Sequence, residues 1–270
     1  MRKGVMLTVL IALLFSVYGH VNPTYDNRFI RFHLYGKGEP VFVLSGGPGN
    51  DCHQQEDVAI EIGEKHMAIL LEQRGTGLSM PPTLDKNSIN LVAYIKDILF
   101  VMDSLKIAKA RFYGRSWGAM LASAFAVQYP EKVTSLILTG PGYLKLDKEY
   151  HAKIFSNRMA KLSEEQQKRF HKLNQTRADE MTEEEKKEFA GLRATFSVYD
   201  TTNKEWKFSK IGRGAPNATT YNLLSQELQR IGLDLTQKVR ELTMPISILM
   251  RTLSYVRTAR KILFTTCRSA

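Results

Sequence analysis

Ten residues, Ala110-Arg111-Phe112-Tyr113-Gly114-Arg115-Ser116-Trp117-Gly118-Ala119, constrain this chain more than any other stretch. A short β-type run passes through Gly-x-Ser-x-Gly, at Gly114, Ser116 and Gly118, into the alanine-rich helical run Met120 to Tyr129, which Pro130 closes. A serine on a sharp strand-to-helix turn needs neighbours without side chains, because backbone crowds the turn. The turn lifts the hydroxyl into the open, so Ser116 is the candidate nucleophile. A structural serine in a plain αβ turn is the competing reading; the strand before and the helix after favour the elbow.

The surrounding pattern predicts a mostly parallel sheet with helices on both faces. Arg28 to Leu44 reads as a hairpin: Ile30, Phe32 and Leu34 alternate with Arg31 and His33, Gly36-Lys37-Gly38 turns, and Val41 to Leu44 is a buried strand. His33 is read there as a surface strand residue. In Ser45-Gly46-Gly47-Pro48-Gly49, glycines directly after a buried strand let backbone amides approach a ligand closely, as an oxyanion hole requires. Met67 to Leu71 is another buried strand, followed by the polar loop Glu72-Gln73-Arg74-Gly75-Thr76-Gly77-Leu78-Ser79, which lacks the Gly-Lys-Ser/Thr ending of a phosphate loop. Leu91, Ile95, Ile98, Leu99, Met102 and Leu105 recur at helical spacing, with Asn87 or Ser88 as the expected N-cap. Val133 to Leu138 is a further buried strand.

Four segments follow from composition. Residues 1–19 read as a signal peptide: Met1-Arg2-Lys3 precedes the apolar run Val5 to Val17, too short for a comfortable bilayer span, so the mature chain is expected to begin near His20 in an exported protein with no stable membrane span. Residues 20–144 carry the strand and helix alternation. Residues 145–235 change to long polar helical segments, Ser163 to Asn174 and Thr182 to Leu192, with a polar interruption over Asn203 to Ala218, and read as a helical cap; Glu183, Glu184, Glu185 and Glu188 form a solvated face. Residues 236–270 return to the sheet through Met244 to Leu249 and run from about residue 250 into a basic tail.

The formal net charge of +11 falls to +4 once Arg2, Lys3 and the tail's Arg251, Arg257, Arg260, Lys261 and Arg268 are set aside. The excess therefore forms no face that could follow phosphates, and no nucleic-acid partner is expected. Cys52 and Cys267 are the only cysteines, too few for a disulfide scaffold, though an oxidising compartment permits one bridge. No spacing of His, Cys, Asp and Glu reads as a ligand set, so neither metal nor cofactor is expected.

Ser45 to Gly49, Glu72 to Ser79 and Gly114 to Gly118 together resemble, in order and spacing, the α/β-hydrolase family of proline iminopeptidases, over about residues 28 to 145. The resemblance implies an eight-stranded α/β-hydrolase sheet with an inserted helical cap, and release of an N-terminal residue, often proline, from a small peptide or arylamide. It implies acyl transfer through Ser116, with the amide of Trp117 and that of Gly46 or Gly47 in the oxyanion hole.

Three departures stand out. Ser45 occupies the position of the family's usual histidine, and Glu72 that of its usual aspartate. The catalytic acid and histidine, expected in that chain order after the cap, are not identified: residues 250–270 contain no Asp, Glu or His, the last acid is Glu241, and the only histidines after Ser116 are His151 and His171, both within the cap. Neither is assigned as the base. The tail is expected to reflect a frameshift or premature stop, leaving the C-terminal part of the sheet missing; the alternative is a genuine short form whose Tyr255 to Phe264 adds a strand or helix of its own. A non-catalytic binding protein and an esterase-type hydrolase are the rival functional readings. No oligomeric state follows from the residues.

Overall fold

In Val41 to Leu44 every side chain is buried, and successive residues go to opposite sides of one sheet. Val41 and Val43 join Val58, Ala59, Ile62, Ala68, Leu70 and Tyr113 in one core cluster. Phe42 and Leu44 join Ile69, Leu71, Phe112, Leu136 and Leu138 in a larger one. A sheet buried on both faces needs a helical layer on each, and the computed structural model has them. It describes residues 27–140, 144–145, 148–176, 180–197 and 217–249.

The strands are β1 (Arg31–Tyr35), β2 (Pro40–Leu44), β3 (Met67–Glu72), β4 (Ala110–Arg115), β5 (Val133–Thr139) and β6 (Ile246–Leu249). Among the described residues they form one six-stranded sheet in the order β1-β3-β2-β4-β5-β6. Only β1 runs antiparallel to its neighbour. Helix α1 (Glu56–Gly63) covers the smaller core. Helices α2 (Leu91–Ser104) and α3 (Trp117–Gln128) cover the larger one, where the Phe42 and Phe112 rings stack at 5.0 Å.

The expected hairpin over Arg28 to Leu44 is not formed. Arg31 pairs with Glu72 and Tyr35 with Ala68, so β3 lies between β1 and β2. The turn glycines serve a different purpose: Gly36 has φ +71°, and a Cβ there would fall 1.9 Å from the Gly63 carbonyl oxygen, so the chain crosses the end of α1 where only glycine passes. The N-cap of α2 is Asn90, not Asn87 or Ser88; its side chain accepts from the Ala93 N–H, while Ser88 is engaged in a turn with Asp85.

Beyond β5 come α4 (Lys148–Met159), α5 (Glu164–Gln175) and α6 (Glu183–Ser197). A capping box between Ser163 and Gln166 starts α5. Met159, Leu162, Phe170, Leu173 and Leu192 form a small core of their own. Across its outer surface Arg169 bonds Glu185 and Glu188, so part of the glutamate face is paired rather than merely solvated. Helix α7 (Ala218–Arg230) behaves differently from what composition suggests. Its Leu224 and Leu228, with Leu233, Leu235 and Val239 of the following segment and short helix α8 (Thr236–Arg240), join the large sheet core. β6 then pairs in parallel with β5, as the apolar run Met244 to Leu249 predicts. The leader, the Asn203 interruption up to residue 216 and the basic tail lie outside the described residues. No helix among the described residues is long and apolar enough to cross a membrane.

Candidate active site

Ser116 joins β4 directly to α3 with φ 52° and ψ −116°, a backbone conformation that a residue with a side chain adopts only under strain. The flanking glycines show why. A Cβ on Gly118 would lie 2.2 Å from the Leu44 carbonyl oxygen, and one on Gly114 would lie 2.5 Å from that of Gly118. The elbow is thus pressed between β2, its own helix and the loop after β2. Its backbone is tied down on the far side, where the Ser116 N–H donates to the Thr139 carbonyl at the end of β5.

Gly46 lies against the elbow: its Cβ position is 3.4 Å from both the Arg115 carbonyl oxygen and Ser116 Cβ. Gly47, at φ +128°, turns the loop back on Asn50. Trp117 is the first residue of α3, so its N–H has no acceptor within the helix. The structure therefore brings Ser116, Gly46 and the start of α3 together at the C-terminal ends of β2 and β4.

The Glu72 to Ser79 loop supports this corner from below. Gln73 is buried; its amide N–H group donates to the Ser45 carbonyl at 2.9 Å, and its oxygen accepts from Trp117 Nε1 at 2.7 Å. Arg74 is buried as well and makes a two-pronged contact with Asp97 of α2, Nε to Oδ2 at 2.7 Å and Nη2 to Oδ1 at 2.5 Å, while Nη1 donates to the Ser88 carbonyl. Burial pushes the Asp97 carboxyl up to about 6, against the pull of the Arg74 hydrogen bonds and charge. Tyr94 donates to the Arg74 carbonyl and meets the Trp117 ring edge-on at 5.6 Å. Glu72 accepts from the Leu78 N–H and from His33 Nε2, so its longer side chain both closes the loop and reaches β1.

This architecture decides the family. A model of the alpha/beta hydrolase fold matches residues 39–245. The chain belongs to the α/β-hydrolase fold family. Among curated relatives of this chain, the proline iminopeptidase of Xylella fastidiosa (strain Temecula1) is 39% identical over 105 residues, 38% of this chain and 32% of that protein. The proline iminopeptidase of Heyndrickxia coagulans is 31% identical over 113 residues, 42% of this chain and 38% of that one. The chain thus matches about a third of the length of these relatives. The crystal structure of a proline iminopeptidase from Mycobacterium smegmatis superposes with a TM-score of 0.57 at 16% identity, over 80% of this chain and 76% of that one.

Two further features of the candidate site carry no local sequence signal. The N-terminus of α7 docks on two loops at once: the Asn217 N–H donates to the Gly49 carbonyl at 2.8 Å, and Thr220 Oγ1 to the Gly75 carbonyl at 3.0 Å. A contact spanning 145 residues between Thr220 and Gly75 leaves no spacing to read. The second is a cluster of His33, Cys52 and His53, the latter two in a single 3-10 turn (Cys52–Gln55) just past the glycine loop. Burial, with the charges of Glu72 and Asp51, pushes the Cys52 thiol above its usual range. His33 is half-exposed and bonded to Glu72, not a bare surface residue.

No hydrogen bond joins the Ser116 hydroxyl to a histidine among the described residues. His171 is exposed on α5 and meets the rings of Phe155 and Phe170. His151 belongs to α4, its side chain outside the description, and His66 is buried where β3 begins. Cys52 is a free thiol, and Cys267 lies outside the described residues.

Proposed function

We propose that this chain is a serine hydrolase of the proline iminopeptidase type, acting on the N-terminal residue of small peptides or arylamides through an acyl-enzyme on Ser116. The observation that carries the reading is the strained backbone of Ser116 at the strand-to-helix turn, with Gly46 against it. The similarity to proline iminopeptidases supports the substrate class. In this reading Ser116 Oγ attacks the scissile carbonyl. The Trp117 N–H and that of Gly46 or Gly47 receive the oxyanion, each donor contributing about 3–4 kcal/mol in a comparable hydrolase, and water then releases the acyl group. Gln73 positions both sides of that hole by holding Ser45 and Trp117.

Attack needs a base to take the serine proton. No such partner of Ser116 is found among the described residues; the second reading is a weakly active or non-catalytic protein that binds peptides on the same fold. With oxyanion hole and binding alone, only about 10³–10⁴-fold catalysis over water is expected. Export belongs to the same proposal, on the strength of the basic and apolar leader; intact mass of the secreted chain should place its first residue near His20.

Fluorophosphonate labelling of the purified chain separates the readings. The hydrolase reading expects covalent mass added to the wild type and none to Ser116→Ala. A folded, unlabelled wild type that still binds a proline-terminated peptide leaves the binding reading standing.

A further inference from the structure

His33 lies on β1, an edge strand; Cys52 and His53 lie on the turn that follows the glycine loop. One donor atom from each comes within 4.8 Å of the other two. Cys52 Sγ and His53 Nδ1 are 3.7 Å apart, and the two imidazole rings are 5.0 Å centre to centre. We propose that His33, Cys52 and His53 form a binding site for a zinc-type divalent cation, which braces the loop carrying Gly46 and Gly47 against β1.

The donor set selects the ion. Two imidazoles and a thiolate suit zinc, whereas calcium and magnesium prefer oxygen ligands. Zinc bonds of about 2.3 Å to sulfur and about 2.0–2.1 Å to nitrogen place tetrahedral donors about 3.3–3.7 Å apart. The cysteine and histidine pair already has that separation, and the widest gap closes by about 1 Å of side-chain movement. Access is open: Cys52 is buried, while the His33 and His53 side chains are 37% and 38% exposed.

The surroundings fit a cation. His33 Nε2 is 2.8 Å from Glu72 Oε1, and His53 Nδ1 is 2.6 Å from Asp51 Oδ1. A divalent ion, one thiolate and two neutral imidazoles leave one net positive charge, which the two negative charges of Glu72 and Asp51 more than offset. His53 Nδ1 faces both Cys52 Sγ and Asp51, so ligation through it replaces the Asp51 hydrogen bond, with the ring proton carried on Nε2. Binding replaces the Cys52 S–H bond with a sulfur–metal bond and releases one proton to solvent, with no change of oxidation state. A water completes the four ligands.

The position gives the site a purpose. Asp51 caps the turn by accepting from the His53 N–H. Only two residues separate Gly49 from Cys52. Glu72 holds His33 and precedes Gln73, the residue bonded to Ser45 and Trp117. An ion here therefore links β1, the end of β3 and the glycine loop at one point. The inference does not depend on whether Ser116 is active.

The test uses the full-length reduced protein, stripped with chelator and titrated with Co²⁺ as a spectroscopic stand-in and with Zn²⁺ in equilibrium dialysis. The expected result is one ion per chain, with the sulfur-to-cobalt charge-transfer band and the visible bands of a four-coordinate ion. Cys52→Ser should abolish the charge-transfer band and Cys267→Ser should keep it. His33→Gln and His53→Gln alter half-exposed side chains, so they should leave the circular dichroism unchanged and weaken Zn²⁺ binding at least about tenfold. Absence of saturable uptake, or uptake that survives in the His33→Gln, Cys52→Ser double variant, overturns the proposal.

Discussion

Gln73 uses both ends of its amide, one on Ser45 and one on Trp117. Gln73→Leu leaves a buried indole N–H and a buried carbonyl unpaired, at about 1–3 kcal/mol each. The urea midpoint should fall accordingly, and an unchanged midpoint contradicts the role assigned to it. Asp97 is a second residue whose setting can be read in solution. Its carboxyl titrates near 6 when folded and near about 3.9 when unfolded. Between those values the folded chain holds a proton that the unfolded chain has released. Its contribution to stability therefore declines as pH rises from about 4 to about 6 and is level above that. In Asp97→Asn this slope should vanish; wild-type and variant midpoints that run parallel through the window contradict the assignment. At this scale Ser116, Gly114 and Gly118 are legible in the sequence because an elbow is a local demand on adjacent residues. Gln73 sits in a recognisable loop, yet its partners are 28 and 44 residues away, and nothing in its neighbours points to them.

The elbow as an element depends on how closely α3 approaches β2. Gly118→Ala sets a methyl group against two backbone carbonyls, those of Leu44 and Ser45, at 2.2 and 2.6 Å, and backbone has no rotamer by which to yield. A loss of at least about 3 kcal/mol is expected, at the upper end of overpacking costs. Gly232→Ala is the control: φ is +58° there but nothing lies within 4 Å, so only the conformational penalty of about 1–2 kcal/mol applies. Similar losses for the two in thermal or urea unfolding would refute the packing argument. Helix α7 shows the opposite limit of local reading. Its composition matches the polar helices before it, but Leu224 and Leu228 on one face and Thr220 at its start attach it to the sheet. The period is visible in the sequence, whereas the surface that the stripe meets is not. The turn Gly36-Lys37-Gly38 misleads for a related reason, since two positive-φ glycines look the same whether they close a hairpin or cross a helix end.

At the scale of the whole molecule, three apolar clusters among the described residues divide the burial unevenly. The two sheet cores include most of β2 and β3 and the apolar residues of β4 and β5, whereas among the described residues α4, α5 and α6 share one small core of five buried residues. Opening that small unit exposes far less apolar surface than opening the sheet. Native-state hydrogen exchange should therefore report lower opening free energies for amides of α5 and α6 than for those of β2 and β4. Equal protection would mean that the two regions unfold as one. The parallel sheet and its two helical layers are readable from alternating runs of strand and helix, because burial on both faces leaves continuous apolar segments. Strand order is not readable in this way, since it depends on pairings between residues far apart. That order has a consequence for a chain emerging from the ribosome. The first two strands are not each other's partners: both await β3, and β2 also awaits β4. Until β3 has appeared, the five residues of β1 and the five of β2 have no native strand to pair with, so synthesis passes through an interval in which assembly of the sheet waits on translation.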